Sequence, residues 1–104
     1  MTEPPEELFR RWTHSFEEDG PGVAVYRPDG FPFPRARGRD GMEFTADGGF
    51  VDRPVGRGDA PGSWRGVWRS DDGRLLAVSF PGTGRPGRTL EVLTCDGRAL
   101  VLRA

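Results

Sequence analysis

Hydrophobic and polar residues alternate along most of this chain, most clearly over residues 62–80. Trp64, Gly66 and Trp68 interleave with Arg65, Val67 and Arg69, the period-two pattern of a strand with one apolar and one wet face. Ser70-Asp71-Asp72-Gly73 is turn chemistry, since Asp tolerates left-handed backbone and Gly adopts it without steric cost. Residues 75–80 read as the returning strand, with Leu76, Val78 and Phe80 facing the tryptophans.

The same grammar recurs on either side. Residues 12–16 put Trp12, His14 and Phe16 on one face, and an acidic turn leads to a partner strand at 23–27 carrying Val23 and Val25. Residues 42–45, with Met42 and Phe44, and residues 50–55 flank an Ala46-Asp47-Gly48-Gly49 turn. A last pair, 88–94 and 99–103, flanks Cys95-Asp96-Gly97-Arg98 and places Leu90, Val92, Leu100 and Leu102 inward. Asp-Gly recurs at 19–20, 29–30, 40–41, 47–48, 72–73 and 96–97. Turn signals at that density predict an all-β, up-and-down antiparallel meander of about eight short strands. Eight strands can close into a barrel whose side chains just fill the interior. Leu93 and Val101 fall on the other face, so either that surface is covered or the register shifts by one residue.

Two stretches depart from the alternation. Residues 2–11 predict a short helix, with Thr2 as cap, Pro4 or Pro5 in the first turn, and Leu8 and Phe9 plugging one end of the barrel. Residues 28–40 contain Phe31-Pro32-Phe33-Pro34, whose prolines forbid a central ladder position and favour an extended path. Arg35, Arg37 and Arg39 follow at period two in the longest irregular segment, the kind of loop that often carries function.

Composition then narrows the classes. A chain of 104 residues predicts one domain spanning 1–104 with one core. Its sixteen glycines and ten prolines fit tight turns rather than disorder, because three Trp and seven Phe supply a core. A formal charge of −1 offers no field for nucleic acid or an anionic membrane. Every basic residue is Arg, and Lys, Ile, Asn and Gln are missing, which reads as the codon bias of a GC-rich bacterial genome. The acidic opening lacks an apolar leader and no long apolar run follows, so the expectation is a cytoplasmic protein. Cys95 is the single cysteine, which excludes an internal disulfide and a cysteine metal cluster. No phosphate-loop or dinucleotide-binding pattern occurs, so no cofactor is expected.

The run from Arg11 to Asp19, Val25-Tyr26-Arg27-Pro28, the stretch from Pro34 to Arg39 and Gly62-Ser63-Trp64 together resemble small bacterial lipocalin-like (calycin-type) proteins. The Gly-x-Trp element and the short N-terminal helix are similar to features that open a lipocalin barrel. The resemblance implies a meander barrel with an interior site for a small apolar or aromatic ligand.

The candidate ligand-binding residues are His14, Trp12, Tyr26, Arg35, Arg37, Arg39, Trp64 and Trp68. His14 is the only histidine: either a titratable group at the barrel mouth, or a half-buried ring bonded to a carbonyl or carboxylate. Arg35, Arg37 and Arg39 suit a carboxylate or phosphate ligand, or they latch onto Glu17, Glu18 and Asp19. Trp64 and Trp68 are either core or ligand platform. Cys95, with no adjacent base, is expected to be inert, and Glu91 and Asp52 form no evident catalytic pair. The function these residues predict is a non-catalytic small-molecule or peptide binding module. The alternative is a structural or interaction protein with a filled core that forms a homodimer or docks through the Leu93/Val101 face. An enzyme reading would have His14 and an acidic neighbour act as acid or base inside a cleft.

Overall fold

The computed structural model describes residues 4–36, 38–54 and 63–104. Eight strands, β1 (Arg11–His14), β2 (Val23–Pro28), β3 (Gly41–Phe44), β4 (Gly49–Arg53), β5 (Trp64–Arg69), β6 (Leu75–Ser79), β7 (Arg88–Cys95) and β8 (Leu100–Arg103), form one sheet. Every neighbouring pair is antiparallel, and the sheet closes on itself as a barrel. The predicted all-β barrel of about eight strands is therefore observed. Its hairpins turn where Asp-Gly signals stand: Gly48 at φ 95° and Gly97 at φ 83° occupy backbone that side chains with a Cβ avoid.

Strands β3 to β8 follow one another as a meander, but β1 lies between β2 and β3, and β2 pairs with β8. Strands β2 and β3 therefore run in the same direction, and residues 29–40 must return the full height of the barrel past β1. Proline explains why this return is not a strand, because Pro32 and Pro34 have no amide to give a ladder. The segment is pinned instead by arginines over rings. Arg27 lies 4.8 Å from the Phe31 centroid, and Arg39 lies 4.8 Å from Phe33 and 4.6 Å from Phe16.

One end of the barrel is sealed with hydrocarbon. The predicted N-terminal helix is a single 3-10 turn, Glu6–Leu8, capped at Pro5; the proposed Thr2 cap lies outside the described residues. Leu8 is fully buried, and its carbonyl accepts the Trp12 indole N–H at 3.0 Å. Phe9 stacks on Trp68, 5.8 Å between centroids, and Trp68 donates to the Thr45 carbonyl at 2.8 Å. Above this plug the axis is filled by Trp12, Met42, Phe44, Phe50, Leu76 and Leu100, all essentially without exposure.

Two inward assignments need correcting. Phe16 does not continue β1; it opens a 3-10 turn, Phe16–Glu18, and is 44% exposed. In β2 it is Ala24 and Tyr26, opposite Leu102 and Leu100, that join the core, not Val23 and Val25. Val25 is nonetheless buried, because the 3-10 turn folds back over β2 and Glu18 bridges to Arg27 on its outer side. The ambiguity in the last pair is resolved by a bulge between Val92 and Thr94, which lets Val92 and Cys95 both oppose inward residues of β8. Leu93 and Val101 are left half-buried outside. Among the described residues no helix is long and apolar enough to cross a membrane.

Candidate functional site

At the end opposite the plug, the inward row changes character. Strand parity that carries Trp12 and Phe50 inward also carries His14 and Asp52 inward one step further along β1 and β4, and Tyr26 and Trp64 stand opposite them on β2 and β5. Four residue types with polar atoms thus line the mouth of an otherwise apolar barrel.

His14 ends β1 directly across from Tyr26 of β2, and their rings stack with centroids 4.8 Å apart and planes inclined by 22°. Both ring nitrogens are held. Nδ1 lies 2.6 Å from Asp40 Oδ1, and Nε2 lies 2.9 Å and 3.1 Å from the two oxygens of Asp19. Each ring nitrogen therefore has a carboxylate oxygen within hydrogen-bond reach. Each acid is itself fixed: Asp19 accepts the Val25 amide at 2.8 Å, and the Asp40 carbonyl accepts the His14 amide at 2.8 Å. With both nitrogens engaged, the ring ties the end of β1 to Asp19 and Asp40. Tyr26 is pushed up to about 12, first by burial and then by the negative charge of Asp40, so its phenol stays a neutral donor.

Arg39 underpins the same corner. Its guanidinium donates to the His14 carbonyl at 3.0 Å, to the Pro34 carbonyl at 2.7 Å and to both oxygens of Glu17 at 2.8 Å and 2.6 Å. Among the described residues the acidic–basic latch is made between Glu17 and Arg39. Glu18 pairs with Arg27, and Asp19 with His14. Arg35 is exposed on the return segment, and Arg37 lies outside the described residues.

Across the mouth, Asp52 on β4 is only 7% exposed and accepts from Arg85 Nη2 at 2.5 Å. The Arg85 guanidinium lies between two rings, 4.9 Å from the Trp64 centroid and 5.1 Å from Phe80. Arg85 belongs to the connection between β6 and β7, so this contact draws that loop over the rim.

The structure thus brings His14, Tyr26, Arg39 and Trp64 to one end. It sends Trp12 into the core and Trp68 to the plug, away from the mouth, because both lie deeper along their strands. Asp19 was expected to pair with the arginines of the return segment rather than with His14, and Asp40, Asp52 and Arg85 were not singled out from the sequence as partners of this end. Asp52 was legible, since Phe50-Val51-Asp52 puts it on the same face as a core phenylalanine; the other three sit in turns whose path no periodicity gives. Glu91 faces outward to Arg74 and Arg103, apart from Asp52. Burial, with Glu7 nearby, pushes the Cys95 thiol up to about 11, which leaves it a poor nucleophile. Among the described residues no three His, Cys, Asp or Glu side chains converge as metal ligands. Comparison with protein-family models, curated proteins and solved structures finds no match to this chain.

Proposed function

We propose that this chain is a non-catalytic binding module of a bacterial cytosol, a small lipocalin-like barrel that takes a small molecule or short peptide at its His14 end. The observation that carries the reading is the stacked His14–Tyr26 pair, bracketed by Asp40 and Asp19 at the one end of the barrel where the inward row is polar. Binding sites combine apolar and aromatic walls with a few fixed polar groups; here His14 is fixed by its bonds to Asp40 and Asp19, and Tyr26 by stacking and burial. Because the axis behind them is filled, a ligand rests on the mouth rather than entering the barrel. The test is a titration with small aromatic acids, amines and short peptides, following the single imidazole and single phenol by NMR. Saturable shifts at His14 and Tyr26, with Trp68 unmoved at the far end, are expected. Silence at both rings across the panel would contradict the reading.

A second reading, an interaction protein with a filled barrel, draws on a different observation. Val67 and Leu75 are 46% and 47% exposed on the outer face of β5 and β6, beside the half-buried Ala77. A concentration-dependent mass in analytical ultracentrifugation, reversed by Leu75→Glu, would favour this reading.

A further inference from the structure

Arg85 is held by three walls of different chemistry: the Asp52 carboxylate, the Trp64 indole and the Phe80 ring. A planar, delocalised cation suits all three, since it stacks on aromatic faces and forks onto a carboxylate, as a compact ammonium does not. The walls belong to the barrel, on or just beyond β4, β5 and β6, whereas the occupant comes from a loop. In residues 81–87 every residue except Arg85 is exposed, and Gly82 and Gly84 adopt φ of 79° and 76°. The side chain of Arg85 is thus the loop's main attachment to the mouth. Asp52 is nearly buried while Arg85 keeps 29% of its side chain exposed, and a carboxylate is a poor way to fill an inward position that a leucine would fill, so the carboxylate at Asp52 calls for another use.

We infer that Asp52, Trp64 and Phe80 form a recognition site for a guanidinium, and that Arg85 fills it in cis as a displaceable stand-in for a free guanidinium compound or an arginine side chain of a peptide. The inference rests on the mouth being a ligand site and names the chemistry it takes. A tethered occupant acts at a local concentration of order millimolar, so external ligands compete weakly in the wild-type chain. They bind more tightly once that competitor is removed.

The experiment uses methylguanidinium as probe and the Trp64 indole N–H as reporter in nitrogen-15-labelled Arg85→Ala chain. Expected is a saturable Trp64 shift and a rise in the thermal midpoint, neither reproduced by methylammonium, and both lost in the Asp52→Asn/Arg85→Ala chain. A Gly-Arg-Gly tripeptide forms the second arm. Tighter binding than methylguanidinium assigns the site to a peptide arginine, and equal binding assigns it to the free compound. An unmoved Trp64 in folded Arg85→Ala, or equal shifts in the double variant, overturns the inference. Should Arg85→Ala not fold, Arg85→Met keeps the hydrocarbon stem and is read the same way. If panel compounds shift His14 and Tyr26 while methylguanidinium leaves Trp64 still, the mouth binds another chemistry and only this inference fails; silence at both fells the two together.

Discussion

Asp40 Oδ1 stands 2.6 Å from His14 Nδ1, and through this contact the end of the long return segment is tied to the strand it passes. The backbone repeats the tie, because the His14 amide donates to the Asp40 carbonyl at 2.8 Å. One residue earlier, Arg39 donates to the His14 carbonyl. The end of the irregular segment is thus anchored at the corner that is also the polar mouth. Fold and candidate site share the same bonds.

Removing the imidazole leaves Asp19 and Asp40 facing each other without the donor between them. His14→Ala is expected to lower stability by about 1–3 kcal/mol, the usual cost of stranding part-buried acceptors. Urea denaturation followed by tryptophan fluorescence measures it. A loss below a few tenths would show that the clamp is not part of what holds the return segment.

Tyr26 is the only tyrosine, so phenolate absorbance titrates one group. Its midpoint is expected near 12, raised by burial first and Asp40 second. Asp40→Asn should bring the midpoint down while leaving it above the ordinary value of 10, since burial persists. A wild-type midpoint at the ordinary value would mean the ring is not packed against the core.

A Cβ on Gly66 would stand 2.2 Å from the Ser79 carbonyl oxygen and 2.7 Å from Phe80 Cδ1. Gly66→Ala must push either the β6 backbone or the Phe80 ring, at about 1–3 kcal/mol for an overpacked interior. Because Phe80 is one wall around Arg85, the variant should also weaken the Arg85 contact. A thermal midpoint equal to wild type would contradict the close approach of β5 and β6.

Glu18 is held down to about 2 by the Arg27 guanidinium and then the Ser15 hydroxyl. A carboxyl that binds its proton more weakly when folded contributes fully above the ordinary value of 4.5, and that contribution is lost as pH falls toward 2. With about a third of the side chain exposed, screening keeps the effect to about 1 kcal/mol or less. Stability measured at pH 6 and pH 3 should therefore fall less in Glu18→Gln than in wild type. Equal falls would show that the Arg27 pair does not form in solution.

How much of this was legible depends on which force sets each feature. Alternation is a local signal, so the hairpins around Asp47-Gly48, Asp72-Gly73 and Asp96-Gly97 were readable with nearly correct bounds. Asp40-Gly41 uses the same two letters for another purpose. A Cβ on Gly41 would stand 2.5 Å from the Trp12 carbonyl oxygen, so this glycine lets β3 approach β1 and makes no turn. The register of β2 misled because Val25 looks like core and Tyr26 does not. Yet Tyr26 buries its ring beside His14, while Val25 is covered from outside by the 3-10 turn. The place of β1 between β2 and β3 is a long-range choice with no periodic signature. His14 was marked by its rarity and its place on the Trp12 face, and a carboxylate partner was one of the readings; which acids reach it was not legible, because Asp19 and Asp40 lie outside the strands and only folding brings them to the ring.

Strand order is the claim on which both mouth and return segment depend. Nuclear Overhauser contacts across the barrel test it directly, in a uniformly labelled sample. The account predicts that Trp12 touches both Met42 and Pro28 as cross-strand neighbours, and that Val25 touches Val101. Contacts joining β2 to β3, with β1 against β8 instead, would describe a plain meander and contradict it.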